Sequence, residues 1–234
     1  MTTGWLELPE GTYYFDAMGA LHTGWLVFAG EQYYMKPDGS MATGQLQIDG
    51  VDFFFSSAGK AFLLVNRWNP VPEDYVPELV DVEGFQVAAE CAEPLKAMME
   101  ACRAAGHRCV INSAYRGISF QQMLWDNRYN NYIAQGYSHQ EATDMTATIV
   151  LPPGTSEHHL GLAIDIVGTE EMYQWLKTNG PDYGFLLRYP EGKTEETGVI
   201  YEPWHFRYLG ITLAKELYAL DVTPEEYIRA LTKP

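Results

Sequence analysis

Positive charge is scarce in this chain. Fifteen lysines and arginines stand against 31 aspartates and glutamates, a formal net charge of −16. No basic stripe is available to follow a nucleic-acid backbone, so nucleic acid is not expected as a partner. The same balance disfavours attraction to anionic lipid. Long hydrophobic runs are missing too: the longest, such as Ala61–Val65, fall far short of the ~20 residues a spanning helix needs. No N-terminal segment joins a basic start, an apolar stretch and a small-residue cleavage site. If the protein is exported, its signal has been removed or lies outside this chain. Cysteine is limited to Cys91, Cys102 and Cys109. The first two share a predicted helix about 16 Å apart by helical rise, too far to bridge. Cys102 and Cys109 flank a turn at Gly106 and could pair, but buried thiols are the expected state. Against these absences, 47% hydrophobic and 20% charged residues describe an ordinary globular protein, with room in 234 residues for one large domain or two unequal ones.

Two regions follow different patterns. Residues 1–62 repeat with a period of 20. Gly4-Trp5, Gly24-Trp25 and Gly44-Gln45 open successive units, and Tyr13-Tyr14, Tyr33-Tyr34 and Phe53-Phe54 supply an aromatic pair in each. Gly19, Gly39 and Gly59 then mark a turn. Short aromatic strands between glycine turns predict stacked β-hairpins, each too small to bury its own face. The pattern resembles the choline-binding or cell-wall-binding repeats of bacterial surface proteins. That resemblance implies a cell-wall polymer as partner, with aromatics caging the quaternary ammonium of choline. Thr12, Gln32 and Asp52 stand where a tryptophan usually precedes the aromatic pair, and Gln45 replaces the third opening tryptophan. These departures argue against a complete choline cage. Packing of hairpin on hairpin explains the aromatics at least as well.

Residues 63–82 read as a connector laid on the following domain, with the proline-rich, aperiodic run Asn66–Pro77 at its centre. From 83 to 234 helical and strand patterns alternate. A helix is expected over 86–105 from Val87, Cys91, Leu95, Met98, Met99 and Cys102. Strands are expected over 108–113 and 161–167. Further helices are expected over 119–135, after a Ser138/Glu141 capping box, over 169–179, and from Thr223-Pro224. Met98, Met99 and Met123 are assigned to the core. The class is α+β: a compact domain with a small antiparallel sheet and flanking helices, preceded by the hairpin module.

Two stretches carry chemistry: Ser156-Glu157-His158-His159-Leu160-Gly161-Leu162-Ala163-Ile164-Asp165, and Tyr201-Glu202-Pro203-Trp204-His205-Phe206-Arg207-Tyr208. Alternation along 161–167 puts Asp165 beside Ala163 on one face and leaves the other wholly apolar. A carboxylate there needs a partner. Two imidazoles and a carboxylate make a three-ligand zinc site, leaving a fourth position for water, whose pKa zinc lowers towards ~7. Glu202 suits a general base and acid. Arg116, in Ser113-Ala114-Tyr115-Arg116, could stabilise an oxyanion or a substrate carboxylate.

These motifs together resemble the zinc D-Ala-D-Ala carboxypeptidases of the VanY type over about residues 63–212, including Asp74-Tyr75-Val76-Pro77. The resemblance implies Zn2+ on His158, Asp165 and His205, with Glu202 as catalytic base. It makes Arg116, Gln121 and Ser156 substrate-contacting groups and peptidoglycan stem peptides the substrate. The implied location is extracellular, at the cell wall. His159 stands where the family often has glutamine, which raises the question of which histidine binds metal; spacing favours His158. Gly117 stands where serine commonly follows the arginine. An isolated His–Asp pair is usually only a hydrogen bond, the reading given to the unmatched His22, His107 and His139. Rival readings are removal of D-alanine from an L,D-linked tetrapeptide or endopeptidase cleavage on the same scaffold, and a wall-binding protein with an inactive peptidase fold.

Overall fold

The computed structural model describes residues 2–28, 31–72 and 75–231. Glu73 of the connector, and Asp74 of the family-like run, lie outside the described residues. The chain forms two compact units, Met1–Leu64 with Tyr227–Pro234, and Val65–Glu226.

In the first unit each 20-residue period is one antiparallel hairpin: β1 (Gly4–Leu8) with β2 (Gly11–Phe15), β3 (Gly24–Phe28) with β4 (Glu31–Met35), and β5 (Gly44–Ile48) with β6 (Val51–Phe55). A short β7 (Ala61–Phe62) extends the last. Equivalent residues pair in every hairpin, Trp5 with Tyr14, Trp25 with Tyr34 and Gln45 with Phe54. Rings from successive hairpins interlock. Trp5 packs edge-on against Tyr14, Phe28 and Tyr33 at 5.0–5.7 Å between centroids, and Trp25 against Tyr34 and Phe53 at 5.2 and 4.8 Å. Gly39 and Gly59 sit at φ +82° and +77°, where side chains are disfavoured. A Cβ there would collide with Leu21 and Met41, the same contact one period apart.

The second unit opens with a hairpin of β8 (Leu79–Val82) and β9 (Phe85–Ala88). Its two-residue turn has Glu83 at φ 53° and Gly84 at φ 87°, the geometry that matches strand twist. The expected helix over 86–105 therefore starts late, as α1 (Ala89–Ala104), and Val87 is a buried strand residue. There follow β10 (Val110–Ser113), α2 (Ile118–Ala134) and α3 (His139–Ala147), the last opened by the Ser138/Glu141 capping box. A 3-10 turn (Glu157–Leu160) leads to β11 (Ala163–Val167), two residues later than expected. Gly161 causes the delay: at φ +71° it ends the turn, and its carbonyl accepts from Ala88 N at 2.9 Å, so close that a Cβ would lie 2.8 Å from that nitrogen. Then come α4 (Glu170–Asn179), β12 (Phe185–Leu187), α5 (Thr194–Thr197), β13 (His205–Tyr208), α6 (Ile211–Leu220) and the start of α7 (Pro224–Leu231), whose residues from Tyr227 on belong to the first unit. Thr223 caps α7 reciprocally with Glu226.

One antiparallel sheet, in the order β10-β11-β13-β12, organises the unit. Ile164, Ile166 and Phe206 of its central strands are fully buried, as are Leu95, Met98 and Met99 of α1. Met123 corrects an expectation: it is 46% exposed. Among the described residues of α2 only Gln121 is buried, because the helix scatters its apolar residues around its circumference and gathers no single face to bury. The three cysteines are free and buried.

Candidate active site

Strand register creates the site. Asp165, on the central β11, pairs with His205 on β13 on one side and with Ser113 of β10 on the other. Residues directly opposite in an antiparallel ladder project to the same face, so carboxylate and imidazole meet without help from loops. The 3-10 turn before β11 brings in the second imidazole. His158 Nδ1 donates to the carbonyl of Ala114 at 2.6 Å, which turns Nε2 toward Asp165 Oδ2 at 3.3 Å. His205 Nδ1 lies 3.0 Å from Asp165 Oδ1. One donor atom from each of the three residues falls within 4.8 Å of the others, and all three residues are buried.

His158 Nε2 and Asp165 Oδ1 have no hydrogen-bond partner. Lone pairs converging in a buried place suit a cation, and two nitrogens with one carboxylate oxygen suit zinc. The electrostatics agree. Burial opposes charge on Asp165, yet His158 and His205 hold its carboxyl well below the usual range. Burial also opposes a charged His205, but the Asp165 and Glu157 carboxylates outweigh it and raise its pKa to about 9. Burial lowers His158 to about 4.

Glu202 stands three residues before His205, with Pro203 between them. Its Oε2 is 3.6 Å from His205 Nδ1, beside the donor cluster. Burial lifts its pKa to about 7, where a carboxyl can both take and give a proton. Arg116 leaves the end of β10 and is held at every nitrogen of its guanidinium. Nε donates to Ser113 Oγ at 3.0 Å, Nη1 to Gln121 Oε1 at 3.1 Å and Nη2 to Asp165 Oδ2 at 2.8 Å. Gln121 in turn donates to the carbonyl of Leu151 at 2.7 Å. These groups line a cavity of about 180 Å³ together with Ser156, whose hydroxyl also accepts from the amide of His158 at 3.4 Å. Tyr189 and Trp204 complete the wall.

His159 turns away from the cluster. Its Nε2 accepts from the amide of Gly154 at 3.1 Å, leaving Nδ1–H to donate to the carbonyl of Arg116 at 2.6 Å. With both nitrogens engaged, it braces the arginine segment instead of facing Asp165. Two neighbours of the cluster escaped the sequence reading, Tyr189 and Arg188. Tyr189 packs 4.8 Å from the His205 ring, and Arg188 is fully buried behind it. The available signal was a charged residue continuing the apolar run Phe185-Leu186-Leu187.

The family model described as VanY, D-alanyl-D-alanine carboxypeptidase, matches residues 84–211, more than half of the chain. The chain belongs to the VanY family. A D-alanyl-D-alanine carboxypeptidase of Enterococcus faecalis is 40% identical over 175 residues, covering 72% of this chain; the chain spans 65% of that relative's length. Two solved VanY-type structures, each 40% identical, superimpose well. One is a variant of the vancomycin resistance D,D-pentapeptidase VanY in complex with Zn(II), with a TM-score of 0.68 over 71% of this chain and 97% of that one. The other is VanYB in complex with D-alanine-D-alanine, with a TM-score of 0.69 over 74% and 98%. Among the described residues, no helix is long and apolar enough to cross a membrane.

Proposed function

We propose that this protein is a zinc carboxypeptidase that hydrolyses the terminal D-Ala-D-Ala bond of peptidoglycan stem peptides. The observation that carries the reading is the convergence of His158 Nε2, Asp165 and His205 Nδ1 with Glu202 alongside. His158, Asp165 and His205 are the metal ligands. Zinc held there supplies Lewis-acid polarisation of the scissile carbonyl and acidifies water. The chain does the rest. Glu202 takes the proton of the attacking water and returns it to the departing amine of D-alanine, a double role that suits its raised pKa. Arg116, fixed by Ser113 and Gln121, places positive charge against the developing oxyanion or the substrate's terminal carboxylate. Gln121 and Ser156 offer polar contacts in the cavity wall.

The organisation proposed with this chemistry is a wall-anchoring hairpin module over residues 1–62, a connector over 63–82 and the peptidase over 83–234. The hairpin module holds the enzyme to a cell-wall polymer outside the membrane. The interlocked rings of Trp5 and Trp25 support weak choline binding at most. Incubation of the full chain with defined muropeptides, read by mass spectrometry, tests the specificity. A pentapeptide stem is expected to lose one alanine and a tetrapeptide stem to stay intact. Cleavage of the tetrapeptide alone, or inside the stem, would overturn the assignment.

A further inference from the structure

The imidazole of His205 offers two nitrogens, and only Nδ1 lies on the side of Asp165. Its Nε2 points the opposite way, into the protein, toward Glu157 Oε2 at 3.9 Å. Neither of these two facing atoms has a hydrogen-bond partner, and both are buried. Such atoms are rare in folded proteins, and a small turn of either side chain closes this pair into a hydrogen bond. The other oxygen of Glu157 is already committed. Oε1 accepts from Arg188 Nε at 2.9 Å and lies 3.1 Å from Arg207 Nη1. Arg188 is clamped in its turn, donating from both terminal nitrogens to Glu225 at 2.9 and 2.5 Å. Asn66 donates to the same carboxylate at 2.9 Å. Glu157, Arg188 and Glu225 are all buried, and none of them lines the cavity.

We propose that Glu157 is a positioning residue for the metal site. Held by Arg188, and through it by Glu225, Glu157 accepts the proton on His205 Nε2 and leaves the Nδ1 lone pair facing His158 and Asp165. The inference rests on the zinc-peptidase reading given above. The two histidines are then treated alike from behind. A backbone carbonyl takes the Nδ1 proton of His158, and a carboxylate takes the Nε2 proton of His205, so each presents its unprotonated nitrogen to the cluster. Partners of this kind fix the tautomer and raise the basicity of a ligating imidazole. The assignment also separates two acidic residues that flank the histidines: Glu202 faces the cavity, while Glu157 works through His205.

The test is Glu157→Gln in the full chain. Guanidinium groups only donate, so they claim the amide oxygen and leave the amide NH2 facing His205 Nε2. That arrangement favours a proton on Nδ1, the wrong nitrogen for metal. Zinc affinity, measured by chelator competition, is expected to fall 10- to 100-fold, the usual scale for such partners. Histidine 15N spectra of the zinc-loaded wild type should place the His205 proton on Nε2. At saturating zinc, Glu157→Gln should regain most of its turnover, which Glu202→Gln should not. Unchanged zinc affinity in a folded Glu157→Gln protein would overturn this inference and leave the zinc-peptidase reading standing. A wild-type protein without zinc affinity would overturn both. Should Glu157→Gln fail to fold, Glu225→Gln loosens the same clamp one step further out. A several-fold loss of zinc affinity is expected there, and an unchanged value would count against the proposal.

Discussion

The two units of this chain use buried side chains for opposite ends. In the hairpin unit nearly every informative residue is aromatic or glycine, and its work is done within one period or with the next. Trp5 meets rings from its own hairpin and from the following one, and Gly39 and Gly59 repeat the same contact twenty residues apart. In the second unit the informative residues are buried and polar. Asp165, Glu157 and Arg188 lie away from water, held by partners distant in sequence, and Glu202 is buried beside His205. Buried apolar groups stabilise wherever they land, while buried polar groups must be matched atom by atom. A periodic aromatic pattern is therefore first a statement about packing. Clustered polar residues at fixed spacing are a statement about chemistry.

The sharpest way to break that contrast is to exchange neighbours within the polar motif. His158→Ala should empty the metal site and abolish turnover, while His159→Ala should leave about one zinc per chain by metal analysis. The reverse result would place the wrong histidine in the cluster. Glu202→Gln is expected to keep zinc and lose roughly 10² or more in kcat. Arg116→Ala, which removes charge from an intact metal–base pair, should lose on the order of 10²–10³ with zinc retained. A Glu202→Gln protein that sheds its zinc would make Glu202 a ligand instead of a base.

The aromatic side of the comparison predicts a different split. Phe55 is fully buried in the hairpin unit, in a cluster with Ala42 and Ile48. Phe55→Ala should destabilise that unit by about 3–5 kcal/mol in denaturant unfolding. Hydrolysis of a small soluble peptide should be unaffected, because no proposed active-site group lies in the hairpins. Loss of turnover would mean that the peptidase depends on them. The smallest effect is expected at Gly117, the N-cap of α2, which lacks a side chain to accept an amide hydrogen bond. Gly117→Ser should add only a few tenths of a kcal/mol of thermal stability. The added Cβ would meet no atom nearer than 3.9 Å.

Much of this was legible in the sequence because it was local or motif-borne. The 20-residue period pointed to the hairpins, and the capping residues to the starts of α3 and α7. Spacing favoured His158 over His159. What stayed hidden depended on contacts between distant segments. Val87 reads as the start of a helix, yet the Glu83-Gly84 turn commits it to a strand. Met123 fits a helical core position, yet α2 presents it to solvent. Nothing in residues 185–189 announces that Arg188 reaches a carboxylate beside His205 and another at the start of α7. Ion pairs of this kind have no period, so pattern reading passes over them.

The direct pairing of Asp165 with His205 also bears on how the protein matures. A strand shifted by one residue turns every side chain to the opposite face. If β13 joined β11 one step out of register, His205 would point into the core side of the sheet and the three donors would never meet. In the proposed site, metal uptake reads the alignment of two strands whose paired residues, Asp165 and His205, lie forty residues apart in the chain. A molecule that has collapsed without settling its sheet has helices, a core and no ion. Zinc capture should accordingly be the last event of refolding, slower than the recovery of helical signal, and the ion acts as a check on the finished fold.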